Sequence, residues 1–178
     1  MSISAFQAGN RLPGLSTLVR KQKAFLALFA VLLMCLSAQA QTITLRSRIS
    51  PLAGTSTLKY SDLYGDGNIA VLGTYSGRGV YIFDISNPDA PVLASWYNPG
   101  ANQQMLEALV RNNIGYFGSG NGGGVHIVDL SNPANPVLKS IITTANNGYS
   151  SVHEILLYNN YLIENFNGFS TGPVLKVF

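Results

Sequence analysis

Three carboxylates recur in register along this sequence, and they are its best candidates for chemistry. Asp62, Glu107 and Glu154 each stand six residues before a turn asparagine, Asn68, Asn113 and Asn160. One carboxylate per repeat, at the start of an inner strand, would line a central channel with hard oxygen ligands. Such a ring attracts a cation of the Ca²⁺ type, or simply lowers the potential inside the channel. The blander duty is mechanical: the same acids accept hydrogen bonds from the neighbouring unit and tie repeats together, as most repeat positions do. His153 precedes Glu154 and makes the best metal or acid–base pair. The matching positions hold Ser61 and Leu106, whereas a catalytic metal usually takes three protein ligands. The candidate metal set is therefore Asp62, Glu107, Glu154 and His153, with Ca²⁺ as the cation considered. No residue is assigned as a catalytic nucleophile or as a cofactor ligand.

Other polar residues read as structural. Asp84 and Asp129 close a strand beside Ser-Asn-Pro, where a carboxylate bonds its own turn. His126 stands where Tyr81 stands one unit earlier and reads as a half-buried packing residue. The run Gly118-Ser119-Gly120-Asn121-Gly122-Gly123 fits a dinucleotide fingerprint, but it leads into an apolar strand. Without a helix amino terminus behind it the phosphate has no seat.

The elements that position these residues come from a repeat. Gly79-Val80-Tyr81-Ile82-Phe83-Asp84-Ile85-Ser86-Asn87-Pro88-Asp89-Ala90-Pro91-Val92-Leu93 recurs 45 residues later, from Gly124 to Leu138, with ten of fifteen positions identical. Val174-Leu175-Lys176-Val177-Phe178 matches the start of a third copy, Gly79 to Phe83, and the expectation is that the natural protein continues. Turn chemistry divides the second unit into strands near Met105–Val110, Ile114–Gly118, Val125–Leu130 and Pro136–Ile142. Asn112-Asn113 suits a tight hairpin and Ser131-Asn132-Pro133 a loop. Four short strands per unit of this length is the period of a propeller blade.

The stretches Val80-Tyr81-Ile82-Phe83-Asp84-Ile85-Ser86-Asn87-Pro88 and Val125-His126-Ile127-Val128-Asp129-Leu130-Ser131-Asn132-Pro133 resemble the LVIVD repeat, an apolar strand ending in Asp and followed by Ser-Asn-Pro. The resemblance spans roughly Tyr60 to Phe178. It implies an exported or cell-surface β-propeller of a bacterial or archaeal kind, and no particular reaction. Two departures stand out: Ser76-Gly77-Arg78-Gly79 replaces the glycine-rich turn in the first unit, and the third carries a longer loop from Asn165 to Gly172. Rim loops of this kind often carry binding specificity.

The amino terminus sets the compartment. Arg11, Arg20, Lys21 and Lys23, with no acid among them, precede an apolar run from Ala24 to Ala38, and Ala38-Gln39-Ala40 has the small residues of a cleavage site. This is the order of a secretory signal peptide, and the run is too short to span a bilayer. Cleavage would start the mature chain at Gln41. It would remove four of the eleven basic residues and leave seven against eight acids. With those seven scattered, no basic stripe remains for nucleic acid. Cys35, the sole cysteine, lies in the apolar run, so the mature chain has no thiol or disulfide.

The expectation is an all-β propeller of four-stranded blades, an open arc of about two and a half blades. A signal peptide occupies residues 1–40, a lead-in segment 41–59, blade 1 residues 60–104, blade 2 residues 105–151 and a partial blade 3 residues 152–178. The expected function is non-enzymatic binding of a protein or glycan at the cell surface or in the periplasm, with no nucleic-acid partner and no stable membrane span after cleavage. A Ca-type propeller hydrolase and a structural cell-envelope protein are the alternatives.

Overall fold

The computed structural model describes residues 20–27, 29, 42–50, 59–75, 79–100, 103–166, 168 and 172–178. The chain divides into two units, Met1–Leu45 and Arg46–Phe178. In the first, residues 20–27 are helical, and the rings of Phe25 and Phe29 stack with centroids 6.4 Å apart. No described helix is long and apolar enough to cross a membrane. Most of the expected signal peptide, with Cys35 and the Ala38-Gln39-Ala40 triplet, lies outside the described residues, as do 76–78 and parts of the Asn165–Gly172 loop.

The second unit is built from antiparallel blades. Strands β1 (Tyr60–Asp66), β2 (Ile69–Thr74), β3 (Val80–Asp84) and β4 (Val92–Tyr97) pair in sequence order as blade 1. Strands β5 (Met105–Arg111), β6 (Ile114–Ser119), β7 (Gly124–Asp129) and β8 (Val137–Ile142) repeat that order as blade 2. Strands β9 (Val152–Tyr158), β10 (Tyr161–Phe166) and β11 (Leu175–Val177) form the third group. The four strands expected in the second unit are all present, each end within one residue of its turn-based limit. The result is the expected all-β, open propeller arc.

Local chemistry explains the hairpins. Asn112 and Asn113 sit at φ 51° and 61°, the left-handed pair that a two-residue turn needs, and Gly67 and Asn159 open the equivalent turns at 58° and 51°. After β3 and β7 the backbone N–H of Ser86 donates to Asp84 Oδ1 at 2.8 Å, and that of Ser131 to Asp129 Oδ1 at 2.9 Å. The next residues do the same: Asn87 and Asn132 accept from the N–H groups of Asp89 and Ala134, each at 3.1 Å. These bonds hold the Asp84 and Asp129 carboxyls below their ordinary pKa and confirm both as turn residues.

Two apolar layers hold the blades together. Val71, Val80, Ile82 and Tyr97 of blade 1 pack on Met105, Ala108, Val110, Phe117, Val128 and Leu130 of blade 2. Leu109 and Val125 of blade 2 pack with Tyr149, Val152, Ile155 and Leu162. Because strand side chains alternate, Ala108 and Val110 face back toward blade 1 while Leu109 faces forward toward the third blade. Burying each of these larger side chains contributes about 1.5–3 kcal/mol.

Polar ties supplement the packing at the hairpin end. The Asn112 N–H donates to Asp66 Oδ2 at 2.7 Å, and Arg111 donates to the Leu157 carbonyl at 3.0 Å. Asp66 and Arg111 occupy the same repeat position, so opposite charges reach the next blade from one site in the fold.

Candidate functional site

A shared irregularity positions the three acids. Each blade has a register shift between its first two strands, Tyr60/Leu63 in β1, Met105/Glu107 in β5 and Glu164/Phe166 in the β10 ladder with β9. Asp62, Glu107 and Glu154 lie at these shifts, where a strand kinks and re-aims a side chain. The residues opposite are Gly73, Gly118 and Asn165 in turn. The Asn165 Oδ1 accepts the Glu154 N–H at 2.8 Å, a bond that the two glycines cannot make.

The first strands of successive blades lie side by side, β1 against β5 and β5 against β9. Asp62, Glu107 and Glu154 therefore line one cleft of about 430 Å³ with Ile155, Ile163, Glu164 and Leu175. The same three acids and His153 line a neighbouring cleft of about 280 Å³ with Tyr60, Ser61, Tyr75 and Leu106. The structure thus brings the sequence-derived set together. Among the described residues, no three His, Cys, Asp or Glu side chains are arranged to hold a metal ion.

The electrostatics of the cleft centre on Glu107. Partial burial, the Asp62 charge, a side-chain hydrogen bond to Asp62 and the Glu154 charge push its carboxyl up to about 8. Two carboxyl groups share a hydrogen bond only when one keeps a proton, so Glu107 is an acid that stays protonated near neutrality. The contact also crosses from blade 1 to blade 2. The expected backbone tie at this end comes instead from Ser61, whose hydroxyl donates to the Met105 carbonyl at 2.6 Å.

Two buried polar residues were not singled out by the acidic repeat. Glu164 is 1 % exposed; its Oε1 accepts the Tyr149 N–H at 2.7 Å, while Oε2 has no hydrogen-bond partner. Burial raises its pKa, against the Tyr149 bond and the nearby Lys176 charge. Lys176 lies 4.0 Å over the Tyr149 ring and donates to the Gly148 carbonyl at 3.0 Å. Glu164 stands opposite Ile155 as Phe117 stands opposite Ala108 and Leu72 opposite Leu63. The signal that could have found it is this break in the repeat: a carboxyl where the other blades carry apolar residues, Phe117 and Leu72.

His126 is fully buried, a correction to the half-buried reading, and it carries a bond between blades. Tyr97 Oη lies 2.7 Å from its Nδ1, and its Nε2 lies 3.1 Å from the Gly123 carbonyl. A carbonyl only accepts, so the proton sits on Nε2 and Tyr97 donates to Nδ1. Burial lowers the His126 pKa and pushes Tyr97 up to about 12, and both act as neutral groups.

Comparison with known proteins bears on the repeat. A family model, the LVIVD repeat, matches residues 67–99 and 117–144. No curated protein matches the chain. Among solved structures, one described as the crystal structure of the computationally designed Ika4 protein is similar at 18% sequence identity, with a TM-score of 0.49 over 67% of this chain. The chain spans 64% of that protein's length. The first matched stretch covers β2 to β4 and the second runs from within β6 past β8, so Asp62 and Glu107 fall outside both. With the repeat matched in two blades and the blades laid out in repeat order, the chain carries LVIVD-type repeats in an open arc of propeller blades.

Proposed function

We propose that this propeller arc is a non-enzymatic binding module working outside the cytoplasm, at the cell surface or in the periplasm, and that it holds a protein or glycan partner through the Asp62–Glu107–Glu154 cleft. One observation carries the reading: successive blades deliver a carboxyl group to one cleft through the same strand irregularity. A cationic group of the partner, such as a lysine ammonium, replaces the proton held at Glu107 and gains the charge of all three acids. This chemistry favours a protein with exposed basic side chains.

A lysine-rich peptide is the probe. Its capture should strengthen from pH 5 to pH 8 as Glu107 gives up its proton, and Glu107→Gln with Glu154→Gln should weaken it at least tenfold. Equal capture by wild type and the double variant at pH 8 would sink the reading. The position of His153 on the second cleft with the same acids supports a second reading, a Ca-type hydrolase. Calcium titration followed by thermal shift and elemental analysis separates the two, since the binding module needs no bound metal to capture the peptide.

A further inference from the structure

The seam between blades 1 and 2, both complete in their four strands, is held differently at its inner and outer strands. On the inner side β2 and β5 share the ladder pair Thr74 with Met105, and the Ser61 hydroxyl donates to the Met105 carbonyl at 2.6 Å. A Cβ on Gly73 would stand 2.4 Å from that same carbonyl oxygen, so the two blades touch backbone to backbone here. Glu107 already shares its proton with Asp62 on this side, a contact that acid preserves. On the outer side β4 meets blade 2 through hydroxyl groups: Tyr97 Oη donates to His126 Nδ1 at 2.7 Å, and Ser95 to the Pro133 carbonyl at 2.5 Å.

His126 is 5 % exposed and surrounded by neutral groups. β6 sets Phe117 beside it, β8 sets Ile141 there, and the loop before β7 supplies the Gly123 carbonyl; among the described residues, Tyr97 is the titratable group that faces it. Asp129 and Lys139, the charged residues of β7 and β8, attract each other instead. A second proton turns Nδ1 into a donor, so the Tyr97 hydroxyl must reverse and find another acceptor, and no described carboxylate faces the new charge. Water is the remaining partner. A cleft of about 590 Å³ between the two blades already reaches both rings, with Asn98, Pro99, Asn135 and Pro136 on its walls. We infer that this seam is an acid-operated hinge: protonation of His126 parts β4 from β7 and β8 and widens the outer cleft, while β2 and β5 stay joined as the pivot. In the parted form the imidazole meets water and takes up its proton near the ordinary histidine value, whereas burial in the closed form resists it. The parted form therefore gains as pH falls below that value and levels off once the closed form is protonated too. The hinge is independent of any ligand in the acidic cleft.

Spin labels read the outer gap in the full chain. They are placed at Val92→Cys and Val137→Cys, equivalent exposed positions of β4 and β8, with Cys35→Ser removing the native thiol. The distance between them should lengthen as pH falls from 8 to 5. Over the same range the amides of β4 and β7 should lose protection about tenfold after correction for intrinsic exchange, while those of β2 and β5 keep theirs. His126→Gln retains an acceptor for Tyr97 but no titrating ring, so its distance should stay constant; His153→Gln should open as wild type does. If His126→Gln fails to fold, wild type alone decides, because the NMR titration of the His126 ring must share its midpoint with the lengthening. A constant distance in wild type overturns the proposal. So do opening that persists in folded His126→Gln, midpoints that differ, and protection lost equally in the inner and outer strands.

Discussion

Glu107 carries the sharpest prediction at the scale of single residues. Folded, it keeps its proton to about pH 8; unfolded, it releases it near the ordinary carboxylic value. Between those limits the native state holds more protons than the unfolded one, so Glu107 makes stability fall as pH rises. The buried His126 acts in the opposite sense on the acid side, because the unfolded chain takes up a proton there that the native imidazole refuses. The difference between wild type and Glu107→Gln isolates the carboxyl: thermal melts should show the variant gaining on wild type from pH 5 to pH 8, by on the order of 1 kcal/mol after solvent screening of a half-buried group. Tyr97 supplies a second test. Tyr97→Phe keeps the ring against Phe117 but takes the donor from His126 Nδ1, and chemical denaturation should register a loss of about 1–3 kcal/mol.

At the scale of the strand and turn, the repeat glycines divide into two kinds. Gly79 sits at φ +80°, and an added Cβ would lie 2.1 Å from the Tyr97 carbonyl oxygen; Gly124 is its copy at +71° against the Ile142 oxygen. The obstacle is backbone, which cannot swing aside, so Gly79→Ala should cost more than about 2 kcal/mol in equilibrium unfolding. Gly67 is left-handed too, but nothing lies within 4 Å of its missing Cβ, and Asn112 and Asn159 take its place in the other blades. Gly67→Asn should therefore leave stability within about 0.5 kcal/mol of wild type by the same measurement. The strands were legible in the sequence because turn residues announce them: Asn112-Asn113 and Ser131-Asn132-Pro133 bracket β6 and β7. The three acids were legible for the same reason, since a hairpin turn fixes the register of everything before it. The strand irregularities were not, because they are a property of cross-strand pairing and leave no residue type behind. Glu164 was passed over for a related reason: a search for repeating acids finds what recurs, and Glu164 matters as the place where the pattern fails.

For the whole molecule, protection should follow position in the arc. Blade 2 has apolar neighbours on both faces, in the layer it shares with blade 1 and in the layer it shares with the third blade. Hydrogen exchange should thus find the slowest amides in β5 to β7. Uniform protection across all three blades would mean that they open as one unit.

The way the blades are joined has a mechanical side. Among the described residues, ladder pairing stays within a blade apart from a single pair, Thr74 with Met105, that links β2 to β5. Loads carried along a strand ladder therefore stop at each blade boundary and pass on through side-chain packing and isolated hydrogen bonds such as Ser61 to Met105, which yield to shear more readily than a ladder. Tension along the chain would tear it at its seams, one blade at a time, each complete blade releasing about 45 residues and roughly 150 Å of slack. A tether made this way gives under strain in steps and keeps the remaining blades intact.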